Sequence, residues 1–250
     1  MATVLVLAGG GIKSAVAAAR FAKENSLVLL HLDYGQPSAA AEHRALVGLM
    51  PSFPNSRLVR LSLPHVLELN RDVVEHARPG VVHAAPLPDT AEKKTQPSAV
   101  APASLRGLAP VLLAVGAQAA LRFSADALVV GLAGTDSRTH LGLPRSADAD
   151  ARKEFIHSFA AGLDILLGRN RVLSVEAPLM DLDYSNVVRL GFRFEIPFAN
   201  TWSCLLADPG PCGRCEGCVA RREAFAGAGR IDPLVEASSG ASRRARVDEL

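Results

Sequence analysis

The stretch TVLVLAGGGIKSAVAAARFAK, residues 3–23, decides how the chain folds. It opens on an apolar, β-branched run, residues 3–7, of the composition that suits a strand buried on both faces of a parallel sheet. Ala8-Gly9-Gly10-Gly11 must then turn tightly before Ser14 opens an alanine-rich helix that runs to about Lys23. In such a unit the glycine N–H groups and the positive end of the helix dipole converge on one spot, where a phosphate could sit with no side chain in the way. Close packing of helix on strand would account for the glycines equally well, so the pattern alone leaves both readings open. The spacing matches neither G-x-x-x-x-G-K-[ST] nor G-x-G-x-x-G: Ile12 separates the last glycine from Lys13, and Ser14 stands where a third glycine would fall.

The rest of the chain repeats this alternation. Further strands are expected at residues 27–32, 58–61, 127–131 and 172–175, with helices after the second strand, at 111–123, at 154–167 and around 187–190. Strands alternating with helices throughout predict an α/β fold with a doubly wound, Rossmann-like parallel sheet. Ligands of such sheets bind at the carboxyl edge of the strands. Asp33 and Gln36 leave the second strand there, and Gly134, Asp136 and Arg138 leave the fourth, although an Asp-capped turn explains the first pair as well. Asp148, Asp150, Arg152 and Glu154 precede the helix at 154–167, either to bind Mg2+ or an anion or simply to complement a helix dipole. Residues 75–107, rich in Pro, Ala and charge without periodicity, read as a long loop of the kind that forms lids.

All four cysteines lie near the end, Cys204, Cys212, Cys215 and Cys218, in the spacing C-x7-C-x2-C-x2-C. Zn2+ favours four thiolates in a tetrahedron, and C-x2-C steps let neighbouring cysteines turn back on one ion. A closed set leaves no coordination position for substrate, so the ion is expected to be structural. The sequence begins with a strand and has no charged segment before its first apolar run, which points to a cytoplasmic, reducing setting where disulfides are disfavoured. With 49% apolar and 21% charged residues and a net charge of +2, the composition is that of a globular domain without a field for nucleic acid or membrane. The expected organisation is an α/β nucleotide-binding domain at 1–200, a zinc-binding segment at 201–233 packed on it, and a polar, disordered tail at 237–250.

LAGGGIKSA, LDYGQ, VVGLAGTDS, DADARKEFIHSF, VEAPLMDLD, PFANTWSC, CGRCEGC and ARREAF follow one another in the order found in the 7-cyano-7-deazaguanine synthases, which the chain resembles over residues 3–233. The TWSC and cysteine cluster with its trailing Arg and Phe is the specific part. The resemblance implies an N-type ATP pyrophosphatase fold of the adenine nucleotide hydrolase group. It further implies a ligase that makes the nitrile of the queuosine precursor from 7-carboxy-7-deazaguanine and ammonia. ATP activates the carboxylate as an acyl adenylate, ammonia gives the amide, and a second activation lets the amide dehydrate. Carried over by residue, it implies zinc at Cys204, Cys212, Cys215 and Cys218. Nucleotide is implied at Leu7, Ala8, Gly9, Gly10, Gly11, Ile12, Lys13, Ser14, Ala15 and Val16 with Gln36 and Asp136, and catalytic or substrate roles at Lys13, Ser14, Asp150 and Arg152.

Several positions depart from the family's pattern. Its phosphate loop reads S-G-G-hydrophobic-D-S, so Gly9 replaces the serine and Lys13 the acid, and an ammonium cannot ligate Mg2+. Lys13 then either binds phosphate directly or points to solvent on a decayed site. Tyr184 stands where a lysine is expected, Asp150 and Arg152 are all that remains of a Tyr-Pro-Asp-Cys-Arg stretch, and the Arg-Asn pair is missing near Arg106. Three readings stay open: an ATP-dependent synthase, an inactive or repurposed nucleotide or deazapurine-binding homologue, and a zinc-ribbon nucleic-acid module, for which no basic, aromatic-bearing stripe is visible. The partners expected are a small-molecule substrate, a deazapurine or another carboxylate, and a nucleotide. A homodimer is compatible with the sequence, whereas a membrane is not.

Overall fold

The structure is a computed structural model; it describes residues 1–70, 105, 107–134, 149–168, 173–206 and 210–234. The expected lid at 75–107, Asp136 and the tail at 237–250 fall wholly or almost wholly outside the described residues.

Among the described residues five parallel strands form the sheet: β1 (Ala2–Leu7), β2 (Asn25–Asp33), β3 (Ser56–Ser62), β4 (Ala127–Val130) and β5 (Ser174–Glu176), in the order β3-β2-β1-β4-β5. Around them run α1 (Ile12–Ala22), α2 (Ala39–Leu49), the short α3 (His65–Glu68), α4 (Leu108–Arg122), α5 (Ala149–Leu167), α6 (Tyr184–Arg193) and α7 (Glu216–Ala228). This is the doubly wound α/β architecture expected, with β1 at its centre. The chain moves outward from β1 to β3 and then crosses to β4 on the other side, so the order reverses between β1 and β4.

The three inner strands, β1, β2 and β4, bury both faces, which is why they read as apolar runs, whereas β3 and β5 at the edges are partly exposed. Val4, Val6, Leu27, Leu29 and Val129 pack with α1, α2, α6 and α7, while Leu5, Val28, Leu30, Leu128 and Val130 pack with α4 and α5. On the first face Phe192, Phe198 and Phe225 meet edge to face at centroid separations of 5.0, 5.3 and 6.2 Å, joining α6, the segment after it and α7 to the main core.

Three helix starts differ from expectation. α1 begins at Ile12, two residues before Ser14, because Gly11 already takes the extended N-cap conformation and Ser14 instead bonds back to the Gly11 carbonyl at 3.1 Å. Lys13 therefore lies inside the first turn. α5 begins at Ala149, so Asp150 and Arg152 belong to the helix, with Asp150 in the turn where an acid complements the dipole. α6 begins at Tyr184 because the Asp183 carboxylate caps it, accepting from Asn186 N at 2.6 Å.

Candidate functional site

A cleft of about 1090 Å³, counting solvent at its mouth, opens at the carboxyl ends of β1, β2 and β4, beside the point where the strand order reverses. Leu7, Ala8, Gly9, Gly11, Ile12, Lys13, Ser14 and Gln36, all expected at the ligand site, line it. Gly10, Ala15 and Val16 do not. Ala15 and Val16 are buried core residues on α1. Gly10 lies beneath the turn at φ +67°, where a Cβ would stand 2.5 Å from the carbonyl oxygen of Glu42, so no other residue fits. Gly131, at the end of β4, meets α1 as closely: a Cβ there would lie 2.7 Å from Ser14 N. Gly10 and Gly131 thus serve close packing, while Gly9 and Gly11 line the cleft. Asp150 is exposed on α5, away from the lining, and Arg152 is buried with its guanidinium donating to the Gly134 carbonyl at the end of β4.

Lys13 is only 8% exposed and lines the cleft, so it does not point to solvent. Its Nζ lies 5.2 Å from the centroid of the Tyr184 ring, a cation–π contact on a half-buried wall. The first-turn N–H groups of α1 carry no side-chain cap, and the turn holds no acid. A buried ammonium, capless N–H groups and the helix dipole give this end of the cleft a positive field suited to a phosphate or carboxylate.

Part of the cleft's lining is a hydrogen-bonded acid, Glu42, whose backbone packs beside Gly10. Gln36 accepts from Tyr34 N at 2.9 Å and donates to the Leu32 carbonyl at 3.2 Å and to Glu42 Oε2 at 2.9 Å, while Ser38 donates to Glu42 Oε1 at 2.6 Å. Burial pushes the Glu42 carboxyl above its ordinary range, and the Ser38 and Gln36 bonds partly offset that. His31, on β2, is fully buried, and burial lowers its pKa, keeping the ring neutral. Its Nδ1 lies 3.3 Å from the Ala8 carbonyl oxygen, which can only accept, so the proton sits on Nδ1 and Nε2 is a lone pair. Asp33 turns from the cleft to pair with Arg60 at 2.5 Å and to accept from Gly35 N, which fits the Asp-turn reading.

His31, Tyr34, Ser38, Glu42, Tyr184, Trp202 and Leu205 line the cleft without having been expected there. A histidine inside an otherwise apolar strand, and the chain's single tryptophan beside a metal-spaced cysteine, were signals that could have found two of them.

The cysteine centre adjoins the cleft. Its four sulfur atoms lie within 4.8 Å of one another, with Cys204 to Cys215 at 3.8 Å and Cys212 to Cys218 at 4.0 Å. A zinc tetrahedron with bonds of about 2.3 Å has sulfur–sulfur edges of about 3.8 Å, whereas a disulfide would bring two sulfurs to about 2.05 Å. Backbone N–H groups already point at the sulfurs: Leu205 at Cys215, Leu206 and Cys212 at Cys204, and Cys215 at Cys212, all at 3.3 to 3.4 Å. The residues fit one zinc ion. Cys215 is the N-cap of α7, and Cys218 lies in its first turn, where the helix dipole favours thiolate.

Arg221 of α7 ties this centre to the core. All five of its N–H donors are used: Nε and one Nη2 bond hold Asp232, Nη1 holds the Thr201 carbonyl and hydroxyl, and the second Nη2 bond holds the Phe198 carbonyl, at 2.6 to 3.0 Å. The segment after Thr201 then crosses to the glycine turn, where Trp202 N donates to the Gly10 carbonyl at 2.8 Å.

Comparison with known proteins agrees with this geometry. The family model described as "Queuosine biosynthesis protein QueC" matches residues 3–229. A 7-cyano-7-deazaguanine synthase of Rhizobium meliloti (strain 1021) is 32% identical over 92% of this chain and 89% of its own. That of Mesorhizobium japonicum, "7-cyano-7-deazaguanine synthase 1", is 30% identical over 92% and 91%, and an archaeal one from Methanothrix thermoacetophila is 28% identical over 93% and 98%. Among the described residues no helix is long and apolar enough to cross a membrane.

Proposed function

From the premise that the chain belongs to the queuosine biosynthesis protein QueC family, we propose that it is a cytoplasmic ATP-dependent carbon–nitrogen ligase. It converts 7-carboxy-7-deazaguanine and ammonia to 7-cyano-7-deazaguanine. Nucleotide and deazapurine share the cleft between the glycine turn and the Glu42 wall. The observation that carries this reading is the buried Lys13 ammonium in the first turn of α1, inside the cleft and beside the turn. It binds a nucleotide phosphate as a point charge and supplies some of the neutralisation that a metal ion would otherwise give. Cys204, Cys212, Cys215 and Cys218 hold a structural zinc, which staples residues 201–233 to the α/β domain and supplies no reaction step.

The chemistry asked of the cleft is orientation and charge stabilisation. A carboxylate attacks the α-phosphorus, pyrophosphate leaves, ammonia displaces AMP, and the resulting amide is activated the same way before losing AMP to give the nitrile. Lys13 and the α1 N–H groups face the phosphate charge that moves in both activations. One observation favours a second reading, a binding homologue with little turnover: the Lys13 side chain is drawn against the Tyr184 ring, 5.2 Å from its centroid, where it occupies a wall of the cleft rather than its open centre.

Nitrile and AMP formation from 7-carboxy-7-deazaguanine, ammonium and ATP decides between them when run beside a Lys13→Asp variant. Slow formation by the unmodified protein, with faster formation by the variant given Mg2+, is the expected result. Nucleotide or deazapurine binding with no AMP formed by either protein supports the binding homologue, and no binding of either ligand refutes both.

A further inference from the structure

One short stretch of backbone belongs to two sites. Trp202, Cys204 and Leu205 line the cleft, and Cys204 is also one of the four clustered sulfur ligands. On the cleft side the stretch is anchored by Trp202 N to the Gly10 carbonyl at 2.8 Å, and the Trp202 carbonyl oxygen lies so near Gly11 that a Cβ there would meet it at 3.3 Å. On the metal side Leu205 N and Leu206 N point at the sulfurs of Cys215 and Cys204. The indole links the two ends, because Trp202 Nε1 donates to the Cys204 carbonyl at 2.8 Å and holds its ring in the wall.

We propose that metal occupancy of the cysteines and ligand occupancy of the cleft are thermodynamically coupled through residues 202–205, each raising the affinity of the other. The physical reason is ordering. Four clustered thiolates repel one another unless a cation sits among them, and without it this stretch must be immobilised by the ligand alone, at the entropic cost of fixing its backbone. The ligand meets a finished wall only when the metal is bound. Reciprocity then requires that a bound ligand tighten the metal by the same factor. The inference rests on the reading of the cleft as the nucleotide site.

Reciprocity lets the test be made on the intact, zinc-loaded full chain. Its zinc is titrated with a chromophoric chelator in the absence and presence of saturating Mg-ATP, while the emission of Trp202, the chain's only tryptophan, reports on the shared stretch. ATP is expected to raise the apparent zinc affinity by at least about 10-fold, within the usual range of site-to-site coupling. ATP free in solution also draws zinc from the chelator, so the chelator is calibrated in the same Mg-ATP buffer without protein and the coupling factor is taken from the corrected curves. If calorimetry shows ATP bound to the zinc-loaded protein and its zinc affinity is unchanged, the coupling is overturned and the nucleotide site stands. If no ATP binds to the zinc-loaded protein, the cleft reading itself falls. Trp202→Phe removes the indole bond to the Cys204 carbonyl together with part of the cleft wall, and with ATP again saturating the coupling factor is expected to fall severalfold. An undiminished factor in this variant would overturn residues 202–205 as its carrier.

Discussion

At the cysteine centre the working groups are side chains, four sulfurs within 4.8 Å of one another, whereas at the glycine turn they are backbone N–H groups with one charged side chain, Lys13, among them. Side-chain ligands must be of particular types at particular spacings, so they leave a mark in the sequence that survives without any structure. A backbone cradle leaves only glycines, and glycines also mark close packing. Gly10 and Gly131 are close-packing glycines here. The difference also sets how each region should fail: the first by losing an ion and the order it imposes, the second by clash or by loss of charge.

The largest effect is expected at the metal. Structural zinc contributes roughly 10 to 16 kcal/mol of apparent binding energy in small zinc peptides, as much as a whole domain's stability. Cys215→Ser is expected to remove hydrogen-exchange protection from α7 and from residues 198–206 while β1, β2 and β4 keep theirs. Metal analysis of reduced wild-type protein should give one zinc per chain, and a value well below one refutes the site.

Next comes the anchor between the regions. Arg221→Ala leaves Asp232 without its guanidinium, and the Arg221 and Asp232 side chains are only 5% and 10% exposed. The expected loss is about 3 to 5 kcal/mol by urea unfolding, the range for breaking a buried pair on one side. A loss below about 1 kcal/mol would mean that the ring packing of Phe192, Phe198 and Phe225 holds α7 in place without it.

Within the turn itself a sharper contrast is available. Gly10→Ala must place a Cβ 2.5 Å from the Glu42 carbonyl oxygen at φ +67°, so it should cost about 2 to 4 kcal/mol, whereas Gly9→Ala, whose Cβ would meet nothing within 4 Å, should cost under about 1 kcal/mol. Equal costs would show that the turn relaxes freely. Lys13→Ala should weaken ATP binding by roughly 10-fold in Mg2+-free buffer, the order expected of one charge-assisted contact, and unchanged affinity in calorimetry would leave its ammonium with no part in binding.

The smallest effect concerns His31. Burial holds its folded pKa below the ordinary value, so beneath about pH 6.5 the unfolded chain takes up a proton that the folded protein does not. The contribution is complete above that pH and is lost as the pH falls towards the depressed folded value. Glu42, whose carboxylate lies 4.0 Å from His31 Nδ1, has a raised pKa and the opposite slope as the pH rises from the ordinary carboxylate range. Comparing urea midpoints of wild type and His31→Gln from about pH 7.5 to about pH 5 isolates the imidazole, and parallel curves would remove it.

The sheet was legible because its inner strands are buried on both faces and therefore written as apolar runs, such as Leu27 to Leu30. The cysteine centre was legible from spacing. The Glu42 wall was not, although Glu42 and His43 stood out at the start of α2, because nothing in the sequence says that Ser38, Gln36 and Glu42 close on one another after a turn at Gly35. Nor could the sequence place Lys13, since one helix turn decides between solvent and cleft, and α1 starts two residues earlier than Ser14 suggests. Tyr184 and Trp202 come from segments distant in sequence from the turn they face, a juxtaposition that only the tertiary fold creates.

The bond from Trp202 N to the Gly10 carbonyl also has a meaning in time. A ribosome adding about 5 to 20 residues per second delivers the glycine turn within the first seconds of synthesis and the residues that wall it only after most of the chain has been made. For that interval β1, the central strand, is already outside the tunnel with its carboxyl end uncovered. The nascent chain can assemble much of its sheet during elongation, but a finished ligand site must wait for the cysteines, so a chain stalled or cleaved before Cys204 would carry the glycine turn and Lys13 beside an unfinished wall.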